Sequence, residues 1–181
     1  MRHIWVMIGS DSDLPQCTKG FEYLLSAQQE GRASVDKVIT ASIHRNTEDV
    51  LQILSTAASW AARKELDVLI IGAGWANHLT GTSDAYLRNT LHDKNITIVG
   101  VAFEDKKTPA NTAAAILSIT QVPDTQVVFK GVGESGFLDA CEYAVEGVLP
   151  IVVAKDIVPF TQRSLQEASQ AALDKIRAGK E

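Results

Sequence analysis

Long apolar runs are absent from the sequence, since none of its apolar stretches approaches the roughly 20 residues that a membrane-spanning helix needs. The N-terminus also lacks the succession of charged, apolar and small residues that marks a secretory signal. These absences predict a cytoplasmic protein that does not interact with a membrane.

Cysteine and clustered positive charge are scarce as well. Cys17 and Cys141 are the only cysteines, and each falls on the apolar face of a predicted helix, which favours reduced, packed thiols over a disulfide or a metal site. The formal charge of −5, without any run of lysine or arginine, argues against a nucleic-acid surface. A local site for a small anionic ligand is still compatible with this charge.

The remaining composition is that of one globular domain with a substantial core, at 181 residues, 45% hydrophobic and 22% charged. Apolar β-rich runs alternate with helical spacing, which predicts an α/β fold, a doubly wound parallel sheet with helices on both faces. Strands are expected at 3–8, 35–40, 67–71, 96–101 and 126–130, with a weaker one at 150–154. Helical spacing occurs at 14–25, 50–61 and 137–145.

A last helix is expected at 160–178, after a complete α/β unit. It either packs on its own domain or reaches across to another subunit. The expected organisation is therefore a single domain at 1–158 followed by a C-terminal segment at 159–181.

Unusual polar or glycine-rich loops follow the first three predicted strands. They are Gly9–Asp13, Ala41–Arg45 and Gly72–Gly81. Ligands of doubly wound sheets bind outside the carboxyl ends of the strands, near the point where the strand order reverses. The first and third loops are expected to flank that point, so the three loops should meet in space.

The side chains of these loops suit a nucleotide. A serine-rich turn that leads into a helix suits a phosphate, and Arg45 adds a forked, charged donor. Asp11 and Asp13 suit ribose hydroxyls, although Asp13 is equally well placed to cap the first helix. His44 exchanges a proton near neutral pH, yet taken singly both His44 and His78 are also compatible with ordinary surface histidines.

The same stretches resemble a known family. "IGSDSDLP", "SIHR", "GAGWANHLTG" and "SITQVP" occur in the order and at the spacings of the aminoimidazole ribonucleotide carboxylase family of purine biosynthesis. The resemblance runs from about residue 4 to about residue 147. It implies a flavodoxin-like, three-layer αβα core and a homo-octamer that exchanges its C-terminal helix between subunits.

The resemblance also implies a site for a ribonucleotide monophosphate. The substrate-binding residues that it implies are Ser10, Asp11, Ser12, Asp13, Ser42, Arg45, Gly74, Ala76, His78 and Leu79. Ser10 and Asp13 fall where the family holds phosphate and ribose, Arg45 contacts the phosphate, and His44 is the catalytic acid and base. Residues of the third loop close over the imidazole and the carboxyl group.

The implied reaction is that of a mutase. Carboxylate leaves the exocyclic nitrogen as CO2, stays trapped and reattaches at the ring carbon, while His44 shuttles the proton. No metal and no organic cofactor is implied. The alternatives are direct carboxylation with CO2, or a non-catalytic or re-specialised protein that binds a nucleotide.

Some positions depart from the family pattern. Trp75 stands in place of a glycine, Asn77 and Ile43 in place of alanines, and these three are the predicted specificity residues. Asn77 resembles the CO2-using branch, which however has lysine where this chain has Arg45. A tryptophan at position 75 either fills part of the pocket or swings outward, and it strains the backbone if φ is positive.

Two competing patterns remain. "GVGESG", Gly131 to Gly136, is a G-x-G-x-x-G that follows a predicted strand and opens a helix, with Asp156 lying 20 residues further on, as in dinucleotide-binding units. Only about 25 residues follow Asp156, too few for the rest of such a unit. Asp11 and Asp13 also invite comparison with the acidic pocket of a receiver module, but the third strand ends without a phospho-acceptor aspartate.

Overall fold

The computed structural model describes residues 1–156 and 158–179 and shows a five-stranded sheet whose strand pairings are all parallel. The strands are β1 (Arg2–Ile8), β2 (Ala33–Thr40), β3 (Val68–Ala73), β4 (Thr97–Ala102) and β5 (Val128–Val132). Their order is β2-β1-β3-β4-β5, which is the flavodoxin-like order and reverses between β1 and β3. The predicted doubly wound fold and its five main strands are confirmed, with strand ends shifted by one or two residues.

Helices cover both faces of this sheet. In chain order they are a 3-10 helix (Asp11–Cys17) that runs into α1 (Thr18–Gln29), then α2 (Thr47–Ala62), α3 (His78–Ala85, continued by a π-helical turn, Tyr86–Thr90), α4 (Pro109–Thr120), α5 (Gly133–Glu146) and α6 (Leu165–Ala178). The three segments with helical spacing fall in α1 with its 3-10 lead, α2 and α5. The helices α3 and α4 have no counterpart among the sequence predictions.

Alternation along the strands divides the core into two layers. Ile4, Val6 and Ile8 of β1 pack with apolar residues of α1 and α5, whereas Trp5 and Met7 pack with those of α2. Successive side chains of a strand point to opposite faces, so a strand covered on both faces is apolar throughout. This explains why the sequence shows uninterrupted apolar runs at the central strands.

The strand β2 contains a bulge. Trp5 of β1 pairs with Lys37, whereas the residue before it pairs with Val35, so Asp36 has no partner on β1. One extra residue on one strand is the defining feature of a β-bulge. The bulge lies before the carboxyl end of β2 and shifts everything that follows it by one residue relative to β1.

A buried ionic network lies towards the amino edge of the sheet, before β4. Arg88 is fully buried and donates from Nε to Asp84 Oδ1 at 3.2 Å and from one terminal nitrogen to Asp93 Oδ2 at 2.8 Å. Its other terminal nitrogen donates to the Ile96 carbonyl at 2.6 Å. Because a buried guanidinium without partners is very unfavourable, this network fixes the π-helical turn against the start of β4.

The predicted weak strand at 150–154 is wrong. The chain there is irregular, and the side chain of Gln126 binds its backbone instead, donating to the Val153 carbonyl at 2.7 Å and accepting from the Val153 amide at 2.9 Å. Pro150 has no amide proton for a strand ladder. A single carboxamide therefore replaces the pairing that a sixth strand would have made.

The last helix begins at Leu165 rather than at residue 160. Ser164 and Glu167 form a capping box, in which each side chain accepts from the other residue's backbone amide, at 3.3 and 2.8 Å. None of the helix residues is buried, and Leu165 is 88% exposed. Lys180 and Glu181, at the end of the predicted C-terminal segment, lie outside the described residues, as does Ile157.

Both cysteines are buried and free, as predicted. Burial raises the pKa of the Cys17 thiol to about 12 and the pKa of the Cys141 thiol further still. Within residues 1–156 and 158–179, no helix combines the length and the apolar character needed to cross a bilayer.

Candidate functional site

The carboxyl edge of the sheet holds a cavity where the first three βα loops meet. Ile8, the last residue of β1, pairs with Thr40 of β2 and with Gly72 of β3, so the loops start at nearly the same level. The cavity has a volume of about 460 Å³ and is lined by Gly9, Ser10, Ser12, Asp13, Ser42, Ile43, His44, Arg45, Ala73, Gly74, Trp75, Ala76, His78 and Leu79. The structure thus brings together residues that the sequence separates by about 70 positions.

Two predicted site residues lie apart from this lining. Asp11 is exposed on the first loop, and the Asn77 side chain is fully buried beneath the third loop. Conversely, Gly9 and Ala73 line the cavity without having been predicted. Their position directly at a strand end was the available signal, since backbone at that point necessarily faces the carboxyl edge of the sheet.

The first loop is fixed by its own serines and by contact with the third loop. Ser10 has extended backbone and caps the 3-10 helix, where its Oγ accepts from the Ser12 amide at 3.4 Å and from the Ser12 hydroxyl at 2.9 Å. The Gly9 amide donates to the Gly72 carbonyl at 2.9 Å. A Cβ on Gly9 would lie 2.6 Å from the Ala73 Cβ, so glycine is needed for this close approach.

Asp13 is half-buried on the cavity wall. Burial raises the pKa of its carboxyl above the usual value, and a hydrogen bond from the Gly74 backbone opposes part of that rise. The alternative prediction, in which Asp13 caps the first helix, is wrong because Asp13 lies inside the 3-10 helix and Ser10 is the cap. Its carboxylate is therefore held against the third loop, where it can accept hydrogen bonds from a ligand.

The second loop is a tight turn between β2 and α2. The amides of Arg45 and Asn46 both donate to the Ser42 carbonyl, at 3.1 and 2.8 Å. Ile43 is 8% exposed and packs in the core with apolar residues of α2, which anchors the turn. Arg45 is exposed at the cavity rim, where a guanidinium can bind a phosphate with two parallel hydrogen bonds.

Two histidines meet across the cavity. Nε2 of His44 lies 2.9 Å from Nδ1 of His78, and the ring centroids are 5.0 Å apart at 70°. A hydrogen bond at this separation requires one facing nitrogen to carry a proton and the other to have a free lone pair. The pair is therefore an arrangement in which a proton can be passed between two exposed imidazoles.

The third loop has its fixed point at Asn77. The Asn77 Oδ1 accepts from the Thr80 amide at 3.1 Å and from the Thr80 hydroxyl at 2.9 Å, and Nδ2 donates to the Val101 carbonyl at 2.9 Å. Asn77 thus caps α3 and ties it to β4, and its side chain has no free atom for a ligand. Asn77, which stands in place of the alanine of the family pattern, therefore affects the structure of the loop.

Trp75 lies on the exposed part of the same loop. Trp75 has a φ of +54° and is 72% exposed, and it also lines the cavity. The left-handed conformation costs an L-residue roughly 1–2 kcal/mol. Of the two arrangements expected for this tryptophan, the structure shows it swung outward at the cavity mouth, on strained backbone.

The glycines of "GVGESG" have a packing role. Gly131 and Gly133 have φ of +114° and +65°, and a Cβ on Gly136 would lie 2.5 Å from the Gly131 carbonyl carbon. They let α5 start directly against the end of β5. The strand β5 is at the sheet edge, away from the β1/β3 reversal at which such folds bind nucleotides.

Comparison with known proteins places this chain in a family. A family model described as AIR carboxylase matches residues 3–146. Among curated proteins, the N5-carboxyaminoimidazole ribonucleotide mutase of Pyrococcus abyssi (strain GE5 / Orsay) is 30% identical over 146 residues. The aligned region covers 81% of this chain and 73% of that protein.

Proposed function

The chain belongs to the AIR carboxylase family, and we propose that it acts as an N5-carboxyaminoimidazole ribonucleotide mutase. Family and relative support a carboxyl-transfer enzyme of purine biosynthesis that takes a small nucleotide substrate. The observation that carries the finer proposal is the single cavity that joins the serine loop, Arg45 and the histidine pair.

In the proposed complex, the phosphate binds at Ser10 and Arg45, and Asp13 accepts hydrogen bonds from the ribose. This arrangement directs the aminoimidazole ring towards His44 and the third loop. Serine hydroxyls and a guanidinium are suited to a phosphate, and a carboxylate is suited to sugar hydroxyls.

We assign to His44 the role of a proton shuttle, which gives one proton and takes one back in each turnover. The bond between the exocyclic nitrogen and the carboxyl carbon breaks, His44 gives its proton to that nitrogen, and CO2 is released into the cavity. The ring carbon then attacks the CO2, and the proton lost from that carbon returns to His44. His78, 2.9 Å away, orients His44 and shares its proton.

Acid–base catalysis by one residue contributes about 100- to 10,000-fold. Positioning must supply the remainder, because the released CO2 reacts only if it stays beside the ring carbon. Gly74, Ala76 and Leu79 line the cavity without bulky polar groups, which favours retention of an apolar molecule such as CO2.

Direct carboxylation with CO2 is the second candidate. The sequence feature that suggested direct carboxylation was Asn77, whose side chain is buried and hydrogen-bonded to Thr80 and Val101. Because that side chain makes no contact with the cavity, its identity is weak support for the CO2-using reaction. We therefore favour the mutase.

The proposal extends to the domain organisation of the chain and to its assembly. We propose that residues 1–158 form the catalytic domain and that the segment 159–181, which contains the exposed helix α6, is exchanged between the subunits of a homo-octamer. Support comes from the resemblance and from the exposure of the helix's apolar residues, among them Ile176 at 57%. The cytoplasmic location stays a prediction from the sequence.

The test is conversion of N5-carboxyaminoimidazole ribonucleotide, followed by ultraviolet absorbance without added bicarbonate. Wild type should convert it, His44→Asn should lose about 100-fold or more, and His92→Asn should match wild type. His92 is an exposed histidine near the amino edge of the sheet, so it is a matched control. No conversion by wild type would refute the mutase, and equal rates for wild type and His44→Asn would refute the role of His44.

A parallel reaction separates the two candidates. Aminoimidazole ribonucleotide with bicarbonate is supplied in place of the N-carboxylated compound. A mutase should form the C-carboxylated product much faster from the N-carboxylated compound, whereas a carboxylase should form it faster from aminoimidazole ribonucleotide and CO2.

A further inference from the structure

Trp75 has a backbone conformation that a bulky side chain rarely adopts. Among the described residues, the other non-glycine residues with positive φ are Lys64, His92 and Asp124. Histidine and aspartate tolerate this region better than a bulky residue does, so a tryptophan with φ of +54° is the unusual case. Strain of this kind concentrates at binding and catalytic sites.

The other two tryptophans show how this fold packs an indole with a purely structural role. Trp5 and Trp60 pack edge to face, with ring centroids 5.1 Å apart at 67°, and Trp5 is fully buried. Trp75 is 72% exposed, and in the described part of the chain no aromatic ring packs against it. Its apolar ring is therefore available to a ligand at the mouth of the cavity.

The rest of the cavity supplies the polar counterpart. Ser10, Ser12 and Arg45 line the same cavity and suit an anionic group. The volume of about 460 Å³ is within the range of small-molecule sites. A cavity with anion-binding groups and an exposed indole suits a ligand with a phosphate and a flat aromatic ring.

We propose that Trp75 stacks on the base of the bound ribonucleotide and makes the cavity select base-bearing monophosphates over the bare sugar phosphate. This inference rests on the proposed function, which supplies the ribonucleotide. The indole offers its face to the heterocycle, and the strained backbone holds it at the cavity mouth. Stacking on an aromatic side chain tolerates many bases, because every base has a π-face.

The experiment compares wild type with Trp75→Leu and Trp75→Phe, both of which keep a side chain on the strained backbone. Binding of aminoimidazole ribonucleotide, AMP and ribose 5-phosphate is measured by calorimetry. Loss of the indole should weaken the base-bearing ligands about 5- to 100-fold in Trp75→Leu, and Trp75→Phe should restore most of that loss. Ribose 5-phosphate should bind all three proteins within about 2-fold, since it has no base to stack.

Fluorescence gives a second readout. Trp75 is the most exposed of the three tryptophans, so acrylamide should quench it preferentially. AMP should protect it from quenching in wild type, ribose 5-phosphate should not, and Trp75→Phe should show no ligand-dependent protection.

The outcomes separate this inference from the proposed function. If AMP binds through Trp75 but no carboxyl transfer is observed, the stacking role stands and the mutase proposal fails. Equal weakening of AMP and ribose 5-phosphate by Trp75→Leu would overturn the stacking role, as would base-bearing ligands that bind wild type no better than ribose 5-phosphate does.

Discussion

Replacement of Asn77 by alanine should destabilise the protein and loosen the loop that carries Trp75 and His78. Asn77 is fully buried. Its side chain makes hydrogen bonds to the Thr80 amide, the Thr80 hydroxyl and the Val101 carbonyl, at 3.1, 2.9 and 2.9 Å. Alanine removes all of these bonds at once.

The expected magnitude follows from the groups that are left behind. Loss of a helix N-cap costs about 0.5–2 kcal/mol, and a buried polar group left without a partner costs about 1–3 kcal/mol. The Thr80 amide belongs to the first cost and the Val101 carbonyl to the second, so the free energy of unfolding should fall by about 1.5–5 kcal/mol. Asn77→Ser keeps a capping oxygen and should recover about 1 kcal/mol of this loss.

The assay is urea unfolding followed by circular dichroism, with Asn95→Ala as the matched control. Asn95 is exposed, and its side-chain nitrogen reaches only Asp93 Oδ1 at 3.5 Å, so that variant should stay within about 0.5 kcal/mol of wild type. An Asn77→Ala protein within about 1 kcal/mol of wild type would refute the reasoning. So would an effect equal to that of Asn95→Ala.

Further predictions concern the buried charges and thiols. Asp13→Asn should raise stability near neutral pH, because burial raises the pKa of Asp13 and so disfavours its ionised form. The gain should vanish in acid, below the usual pKa of an aspartate, and a gain that persists there in urea unfolding would contradict this explanation. Cys17 and Cys141 should resist Ellman's reagent in the folded protein and react in urea, since burial raises the pKa of both thiols; rapid reaction of the folded protein would argue against it. Arg88→Met should lower the free energy of unfolding by about 3–5 kcal/mol, because it leaves the buried carboxylates of Asp84 and Asp93 without their cationic partner. Arg63→Met, which breaks an exposed ion pair, should lower it by less than about 1 kcal/mol. Similar losses for the two variants in urea unfolding would contradict the stabilising role of the buried network.

Prediction from the sequence worked best where the pattern depends on burial alone. The central strands are buried on both faces and show as apolar runs, so their positions and parallel arrangement follow from composition and alternation. The helix α4 was not predicted, because its alanine-rich sequence has only a weak apolar stripe, although Pro109 in its first turn marks a helix start. The segment 150–154 was wrongly predicted as a strand for the opposite reason, since residues typical of strands occur there without a partner strand.

The candidate site was predictable as a set of loops but less so as individual side chains. Strand ends give the location, because parallel strands present their carboxyl ends at one edge. Whether a polar residue faces the cavity depends on local turns: Asn77 turns inward to cap α3, while Asp13 is held against Gly74. No sequence periodicity encodes these choices, and neither does it encode the 2.9 Å contact between His44 and His78.

The bulge in β2 lets that strand contain one residue more than its partner without moving the site at its far end. Val35 and Lys37 pair with consecutive residues of β1, Ile4 and Trp5, so the unpaired Asp36 is accommodated locally. Deletion of Asp36 should therefore leave Lys37 opposite Trp5 and keep His44 within its 2.9 Å contact with His78. The register between β1 and β2, and not the number of residues in β2, thereby determines whether the two imidazoles can meet.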